Sequence, residues 1–155
     1  MTNSVERSLV IAKPDAVQRG LLGEIIGRFE KRGLKIIAAK FIQVSKEFAA
    51  EHYSMHIGKS FYDGLVSYIT SSPVLAMVWE GENAVAAIRQ TIGSTNPLEA
   101  LPGSIRHDLS LQTSRNLIHA SDSTENANSE IKLWFKSEEL YSWSLTNDQW
   151  INGKN

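Results

Sequence analysis

The chain has 155 residues with 16 basic and 17 acidic side chains, a formal net charge of −1, and no cysteine. These values favour one domain with a substantial core, and they exclude a disulfide framework, a thiolate zinc site and a cysteine nucleophile. The balanced charge gives no overall attraction to nucleic acid or to an anionic membrane, so we expect no stable partner of either kind.

The sequence carries no sign of export or of membrane insertion. Its N-terminus lacks the basic-then-apolar layout of a signal peptide, and no apolar run reaches the roughly 20 residues that a membrane-spanning helix needs. We therefore predict a cytoplasmic protein with a single domain over residues 1–155.

The first third of the chain alternates between strand and helix patterns. An apolar, partly β-branched run over residues 8–12 predicts a buried strand that Pro14 ends, because proline lacks a backbone N–H. A helical stripe then follows Gly20 and stops at Gly33. Its apolar face comprises Leu21, Leu22, Ile25, Ile26 and Phe29.

The middle of the chain repeats this alternation. Residues 34–44 predict a long strand, and Ser45 is placed to N-cap a helix over residues 46–56. A shorter helix is predicted over residues 61–70, and residues 74–79 predict a third buried strand.

A helix over residues 83–92 precedes a long irregular stretch. Residues 93–115 contain two prolines and show little periodicity, and a loop of over 20 residues in a compact domain is usually functional. Residues 117–119 predict a short strand. Asp122 and Glu125 then stand at capping-box spacing before a helix with an apolar stripe. We expect the aromatic-rich tail, residues 137–155, to wrap the surface or to contact another subunit.

The predicted order is β-α-β-α-β-α-β, with no internal repeat and no linker. Four strands interleaved with helices suggest a sheet covered on one face. A ferredoxin-like βαββαβ core with extra helices fits this order, and a doubly wound sheet is the competing topology. The order of elements along the chain does not choose between them.

No standard phosphate-binding loop is present, because the chain has neither a G-x-x-x-x-G-K-[ST] nor a G-x-G-x-x-G motif. Any phosphate must therefore be held by separate side chains. The candidates are Lys13 at a strand end, Arg89 on a helix, and Arg106 and Arg115 around the long loop. Arginine binds phosphate as a bidentate ligand and lysine as a point charge, although each of these residues alone also fits a solvated surface charge.

His119 is the most informative side chain. It ends a short apolar strand just before a predicted helix N-terminus, whose dipole favours an arriving anion. Glu130 lies far enough into that helix to reach one ring nitrogen, which fixes the tautomer and leaves the other nitrogen as a nucleophile. The alternative is a half-buried histidine bonded only to the backbone.

Two further groups have open interpretations. His52 and His56 have the i, i+4 spacing of a two-histidine metal site, but the glutamate of a zinc protease helix is missing, so we favour a polar helix face. Phe61 and Tyr62 beside Lys59 suit either a base-stacking platform or core packing.

Several segments, taken in order, resemble the nucleoside diphosphate kinase family from about Glu6 to Trp150. Among them are Ala12-Lys13-Pro14-Asp15, Thr95-Asn96-Pro97, Pro102-Gly103-Ser104-Ile105-Arg106 and Asn116-Leu117-Ile118-His119-Ala120-Ser121-Asp122-Ser123. Several blocks in the right order are far more specific than any single motif.

The resemblance implies an α+β fold with a ferredoxin-like core, that is, a four-stranded antiparallel sheet with covering helices. It implies transfer of the γ-phosphoryl group from a nucleoside triphosphate, typically ATP, to a nucleoside diphosphate. The mechanism is ping-pong through a phosphohistidine, with broad base specificity. Mg²⁺ is expected to be held mainly by the nucleotide's own phosphates, and a homohexamer is favoured over a tetramer.

The resemblance also assigns roles to residues near the predicted nucleophile. His119 matches the phosphorylated histidine, Glu130 holds its ring, and Ser121 supports the arrangement. Tyr53 stands where the family keeps a tyrosine beside the transferred group.

A second set of residues matches the family's nucleotide contacts. Lys13 and Asn116 resemble the ribose and phosphate contacts. The outer phosphates and the base are matched by the following residues: Arg89, Thr95 and Arg106 for the phosphates, and Phe61 and Leu65 for the base.

The chain departs from the family pattern at a few positions. Ala120 and Ala16 replace glycines, which would cost roughly 1–2 kcal/mol each if the backbone had a positive φ there. His107 replaces the glycine of Arg-Gly-Asp, Ser60 replaces a proline, and the usual C-terminal ending is missing. These departures motivate one alternative, a nucleotide-binding regulatory protein with little turnover.

Overall fold

The computed structural model describes residues 4–153, which build a four-stranded sheet with helices on both faces. The strand order is β2-β3-β1-β4, and every neighbouring pair is antiparallel. The strands are β1 (Val5–Ala12), β2 (Lys35–Ile42), β3 (Val74–Glu82) and β4 (Ile118–Ala120). This order confirms the ferredoxin-like core. A doubly wound sheet, whose strands run mostly parallel, is therefore wrong.

The helices occupy most of the remaining chain. They are α1 (Pro14–Gln18), α2 (Leu22–Lys31), α3 (Lys46–His52), α4 (Tyr62–Ile69), α5 (Ala84–Ile92), α6 (Ile105–Leu109), α7 (Thr124–Trp134) and α8 (Asp148–Asn152), with 3₁₀ turns over Ser54–His56 and Ser137–Glu139. No helix within residues 4–153 is long and apolar enough to cross a membrane. The single domain over residues 1–155 stays a prediction.

Two hydrophobic clusters lie on opposite faces of the sheet. One, which includes Val10, Phe29 and Trp79, is covered by α1, α2, α5 and α6. The other, which includes Leu9 and Ile11, is covered by α3, α4 and α7. The expectation of a sheet covered on one face was therefore wrong. The physical reason is that consecutive residues of β1 point to alternate faces, and both faces are fully buried there.

Strand β4 is short and lies at one edge of the sheet. It pairs with β1 through three residues, with Ile11 opposite His119 and Val10 opposite Ala120. Directly opposed residues share a face, so His119 lies on the side of Leu9 and Ile11, whereas Ala120 belongs to the first cluster. The position of the histidine is therefore set by the register of β4.

The predicted strands differ from the observed ones by one to three residues at their ends, and two other predicted segments differ more. The helix expected over residues 46–56 ends at His52 and continues only as a 3₁₀ turn. The irregular stretch over residues 93–115 contains α6, because the Ser104 hydroxyl accepts the His107 N–H at 3.3 Å and Ile105 is fully buried.

The cap of α7 also differs from the prediction. The N-cap is Ser123, whose hydroxyl accepts the backbone N–H of Asn126 at 3.1 Å. Asp122 instead accepts a bond from the Asn126 side chain at 2.6 Å. The capping box from Asp122 to Glu125 is therefore wrong, although the start of the helix was placed correctly to within two residues.

The tail folds back onto the edge strand β2. The register of β2 against β3 shifts between Ile36 and Ala38, which leaves Ile37 without a partner on β3. The Tyr141 N–H donates to the Ile37 carbonyl and the Trp143 indole N–H to the Ile36 carbonyl, both at 2.9 Å. The prediction that the tail wraps the surface is confirmed up to residue 153, and residues 154–155 lie outside the described residues.

We predict that Ser123→Ala lowers the free energy of unfolding by about 1 kcal/mol, because the first turn of α7 loses the acceptor for one N–H. Chemical denaturation at a fixed protein concentration measures the change. Ser129→Ala is the matched control on the same helix, where Ser129 is exposed and caps nothing, and we expect an effect within about 0.5 kcal/mol. Equal losses for the two variants would contradict the assignment of the cap.

Candidate active site

The His119 ring is bonded to Glu130 on the sheet face that α7 covers. Its Nε2 lies 2.6 Å from Glu130 Oε2, and the side chain remains 29% exposed. A carboxylate only accepts, so we assign the proton to Nε2 and the free lone pair to Nδ1. The contact predicted for Glu130 is present, and it leaves one ring nitrogen available as a nucleophile.

A second imidazole stands beside the first. The rings of His52 and His119 lie 5.0 Å apart at an angle of 82°. The Trp134 indole N–H donates to His52 Nδ1 at 3.1 Å. Because Glu130 and Trp134 are one helical turn apart, a single face of α7 fixes both rings.

His52 is held in its neutral form. Burial, together with the nearby charges of His119, Lys13 and His56, lowers the pKa of His52 to about 3. Its Nδ1 is occupied by the indole, and residues 4–153 contain no group of three or more His, Asp or Glu side chains that could hold a metal ion. The favoured interpretation of His52 and His56 as a polar helix face was wrong, because His52 ends α3 with its ring against His119 and Trp134, and His56 lies in the following 3₁₀ turn.

The backbone just before β4 adopts a tight turn. Leu117 has a φ of +73°, and the N–H of Ile118 donates to the carbonyl of Asn116 at 2.8 Å. This is a γ-turn, a conformation that is rare for residues with a Cβ. The Leu117 N–H donates to Asp15 Oδ2 at 3.0 Å, and the Leu117 carbonyl accepts the Lys13 N–H at 2.8 Å.

Two guanidinium groups lie along the free edge of β4. Arg106 is only 4% exposed and donates to three backbone carbonyls, those of Asn116 at 3.2 Å, Gly93 at 3.1 Å and Ile118 at 2.6 Å. Arg89 donates to the carbonyl of Ala120 at 3.4 Å. The carbonyls of Asn116, Ile118 and Ala120 belong to the strand and its approach, so the arginines take the place of a neighbouring strand there, whereas the Gly93 carbonyl lies at the end of α5.

Lys13 completes this cationic group. Its Nζ donates to Asn116 Oδ1 at 2.9 Å, and the Asn116 amide donates to the Thr95 carbonyl at 3.0 Å. Burial and the charge of Arg106 lower the pKa of Lys13 to about 8, against the opposing effect of Asp15. Burial and then Arg89 lower the pKa of Arg106 to about 10.

None of Lys13, Arg89 and Arg106 forms a salt bridge with a carboxylate of residues 4–153. Their hydrogen bonds go to carbonyl and amide oxygens, so the positive charges are offset only in part, through the nearby charges of Asp15 and Asp122. Partly buried like charges in this arrangement disfavour one another and favour a bound anion. Arg115 lies apart from this group, with its guanidinium 4.4 Å from the ring centre of Tyr68.

Of the aromatic candidates, one is exposed enough to stack on a base and the other packs in the hydrophobic core. Phe61 is 50% exposed, with the His56 ring 5.3 Å away and Lys59 Nζ 5.7 Å from its ring centre. Tyr62 and Leu65 pack against the second hydrophobic cluster instead. The exposed ring of Phe61 suits stacking, and the alternative of core packing applies to Tyr62.

Tyr53 and Ser121 are both buried. Tyr53 lies 4.6 Å from the His52 ring, and burial raises the pKa of its phenol to about 12. The Ser121 hydroxyl accepts the Leu9 N–H at 3.3 Å, and within the described residues it makes no hydrogen bond to His119 or Glu130. Ser121 thus supports the site through the pairing of β4 with β1.

The departures at Ala120 and Ala16 are compatible with the local backbone. In the described chain the non-glycine residues with positive φ are Asn83 and Leu117, so neither alanine adopts the conformation that favours glycine. The methyl group of Ala120 also points to the opposite sheet face from the ring of His119, because adjacent strand residues alternate. It therefore does not block the imidazole.

The departure at His107 has local partners. His107 Nδ1 lies 3.1 Å from the Ala100 carbonyl, and the neighbouring Asp108 is paired with Arg28 at 2.7 Å. The contact of His107 lies within the long loop, and the pair of Asp108 and Arg28 ties that loop to α2. Nothing in the structure explains Ser60.

Three residues of this site were missed from the sequence: Trp134, Asp15 and Tyr68. They contact the candidate residues only through the tertiary fold. The one signal available was the i, i+4 spacing of Glu130 and Trp134, which places both on one face of a helix. The whole arrangement, a free imidazole nitrogen beside clustered cations, suits the acceptance of an anionic group such as a phosphoryl.

Comparisons with known proteins agree with this chemistry. The family model described as "Nucleoside diphosphate kinase" matches residues 6–140. A nucleoside diphosphate kinase of Staphylococcus epidermidis is 58% identical over 147 residues, covering 95% of this chain and 99% of the relative. One from Carboxydothermus hydrogenoformans is 54% identical with the same coverage.

Solved structures give the same result. A halophilic nucleoside diphosphate kinase from Halobacterium salinarum in complex with CDP has a TM-score of 0.92 and 46% identity, covering 96% of this chain and 99% of its own. A nucleoside diphosphate kinase family protein from Babesia bovis has a TM-score of 0.91 and 44% identity, covering 94% of this chain and 99% of its own.

We predict that His52 stays neutral in the folded protein until the pH approaches about 3, whereas its unfolded pKa is 6.5. Between these values the unfolded chain binds a proton that the folded chain does not, so the free energy of unfolding falls as the pH is lowered through this window. NMR of the imidazole nitrogens should show no titration of His52 from about pH 8 to 5. A midpoint inside that range would contradict the assignment, and His52→Gln should weaken the acid dependence of stability.

Proposed function

Because this chain belongs to the nucleoside diphosphate kinase family, we propose that His119 is the residue through which it carries out the family's reaction. The enzyme transfers the γ-phosphoryl group of a nucleoside triphosphate, typically ATP, to a nucleoside diphosphate by a ping-pong mechanism. Relatives that are 52–58% identical along almost the whole chain are kinases by name, and the regulatory alternative without turnover is not favoured.

One observation carries the assignment of the site. The Nδ1 of His119 is free, and the cations Lys13, Arg89 and Arg106 around β4 form no salt bridge with a carboxylate of residues 4–153. Phosphoryl transfer depends on positioning and charge neutralisation more than on elaborate covalent chemistry. A nucleophile beside clustered positive charge meets both needs.

The proposed half-reaction is balanced at the imidazole. Nδ1 of His119 attacks the γ-phosphorus, the Nδ1–P bond forms, and the bond from phosphorus to the β–γ bridging oxygen breaks, releasing the nucleoside diphosphate. The ring gains positive charge, which Glu130 stabilises through the N–H at Nε2. A second nucleoside diphosphate then reverses the step with its terminal phosphate oxygen as nucleophile.

The cations are suited to hold the transferred group without rearranging. Arg106 is fixed by three carbonyls, so its guanidinium needs little reorganisation when phosphate arrives. We assign Arg89, Arg106 and Thr95 to the outer phosphates, and Lys13 and Asn116 to the ribose and phosphates. A bound phosphate will also raise the pKa of Lys13 from about 8, because it supplies the missing negative charge.

The remaining candidates surround the nucleotide. Phe61 offers its exposed ring for the base, with Leu65 behind it, and stacking tolerates every base because each has a π-face. The CDP complex of the halophilic relative is consistent with such breadth. Tyr53 is assigned beside the transferred group, and Ser121 to the support of β4.

Members of this family need a divalent metal, and we propose Mg²⁺. Glu130 is bonded to the His119 ring, whereas the side chains assigned to the nucleotide are cations and neutral groups, and residues 4–153 contain no cluster of three acidic or histidine ligands. This donor set fits an ion held by the nucleotide's phosphates rather than by the protein. Such an ion neutralises charge on the β- and γ-phosphates.

We further propose a homo-oligomer, with a hexamer favoured over a tetramer. Large apolar side chains are exposed on the long loop, at Leu98, Leu101 and Leu111, and on the edge strand, at Phe41. Exposed apolar side chains grouped on one loop suit burial against another subunit. The cytoplasmic location stays a prediction, motivated by the nucleoside triphosphate substrates.

We predict that brief exposure to ATP and Mg²⁺ yields a phosphoenzyme that is labile in acid and stable in alkali, and that His119→Ala abolishes it. The imidazole is the attacking group, so its loss removes the acceptor while the fold remains. Labelling with [γ-³²P]ATP and formation of TTP from ATP and TDP are the measurements. His107→Ala is the control, because His107 is exposed on α6 and bonded to Ala100. Labelling that persists without His119 would remove it from this role.

Multi-angle light scattering should give a mass about six times the chain mass of 17.3 kDa. Leu101→Lys, which places a charge on the exposed part of the loop, should shift this mass toward smaller species, because an apolar contact is replaced by an ion. A mass four times that of the chain would instead support the tetramer. A single-chain mass would contradict the homo-oligomer altogether.

A further inference from the structure

Leu117 occupies a conformation that its side chain disfavours. A φ of +73° brings the Cβ of an L-residue close to its own backbone, and glycine is the residue that adopts it freely. Leu117 is fully buried and directly joins Asn116, which binds Lys13, to the strand that carries His119. Such a conformation persists only where the surrounding structure imposes it.

The side chain of Asp15 holds Leu117 in its positive-φ conformation. One carboxylate oxygen accepts the Leu117 N–H at 3.0 Å, and the other accepts the Tyr68 hydroxyl. The backbone N–H of Lys13, two residues before Asp15, binds the Leu117 carbonyl at 2.8 Å. The start of α1 therefore holds both polar groups of the strained residue.

Tyr68 is itself fixed. Its ring lies under the guanidinium of Arg115, 4.4 Å from the ring centre, and the Lys13 ammonium is 5.8 Å away. Burial and the Asp15 carboxylate raise the pKa of Tyr68, so the phenol remains a donor. The hydroxyl therefore keeps Asp15 aimed at Leu117.

We propose that Asp15, held by Tyr68, is a positioning residue that clamps the Leu117 turn and thereby aligns His119 with the phosphate-binding side chains. This inference rests on the proposed role of His119. Without the clamp, Leu117 relaxes toward negative φ, and the chain on its two sides rotates. Asn116 and His119 lie on those two sides, so their relative position changes.

The strain at Leu117 provides a test that distinguishes a clamp on the turn from a contact that only stabilises the fold. Glycine at position 117 has no conformational energy penalty at positive φ. The turn then needs the hydrogen bond from Asp15 less than it does with leucine. Alanine at 117 leaves nearly the same cavity but keeps a Cβ and hence the strain. Leu117→Gly and Leu117→Ala are therefore matched backgrounds in which to remove the clamp.

We expect Asp15→Asn to slow phosphoenzyme formation by about tenfold to a hundredfold, because small displacements of reacting groups have effects of this size. The loss should fall on kcat more than on KM, since Arg89 and Phe61 make no hydrogen bond to residues 116–118 and can still bind the nucleotide, although Arg106 contacts both ends of the turn. In the Leu117→Ala background the loss should remain at about tenfold or more, and in the Leu117→Gly background it should shrink to about threefold or less. An equal factor in both backgrounds overturns the proposal, as does parent-like labelling by Asp15→Asn.

Tyr68→Phe provides a milder variant if Asp15→Asn does not fold. It removes one hydroxyl and leaves the bond from Leu117 to Asp15. A rate loss of about threefold to tenfold is expected, again smaller in the glycine background. Tyr141→Phe is its control, because Tyr141 is exposed and lies in the tail. An unchanged rate for Tyr68→Phe overturns the part of the proposal that concerns Tyr68.

Hydrogen exchange separates this inference from the proposed function. The Leu117 amide should exchange faster in both Asp15→Asn and Tyr68→Phe than in the parent. This expectation does not depend on whether His119 is the nucleophile. Absence of a phosphoenzyme in the parent would refute the role of His119. The exchange rate of the Leu117 amide would still test whether Asp15 holds the turn. Unchanged protection of the Leu117 amide in Asp15→Asn would refute the clamp even where labelling is normal.

Discussion

The structure depends on how a three-residue edge strand is held from both sides. On its inner side, β4 pairs with β1, and on its outer side the carbonyls of Ile118 and Ala120 accept bonds from Arg106 and Arg89. An edge strand normally presents unpaired backbone groups to solvent. Here those carbonyls accept hydrogen bonds from two guanidinium groups. The same hydrogen bonds therefore satisfy the edge of the sheet and hold positive charge beside His119.

Helix α7 provides the other half of the arrangement. Its side chains Glu130 and Trp134, one turn apart, each bond one imidazole, and the two rings meet edge to face. A sheet register sets where the histidine lies, and a helix face sets which way its ring points. Neither element alone orients the imidazole of His119.

Much of this was accessible from the sequence because hydrophobic periodicity reports burial directly. The strands, most helices, the ferredoxin-like order and the contact from Glu130 to His119 followed from local patterns or from the family resemblance. The cap at Ser123 did not follow, because Asp122 is an equally good capping residue and only the backbone geometry distinguishes them. The turn at Leu117 was inaccessible, since nothing in a leucine signals positive φ, and Asp15 and Tyr68 approach it from remote segments.

Arg106 carries a consequence for how this protein can change over generations. Many enzymes gain stability when a residue of the active site is replaced, because such sites are optimised for function at the expense of folding. Replacing Arg106, the proposed phosphate ligand, would instead remove the donor from two carbonyls at the edge of β4 and from the Gly93 carbonyl at the end of α5. At this position activity and stability therefore do not oppose each other. A descendant of this protein that no longer needed its activity would still have to keep Arg106, or replace its hydrogen bonds, in order to stay folded.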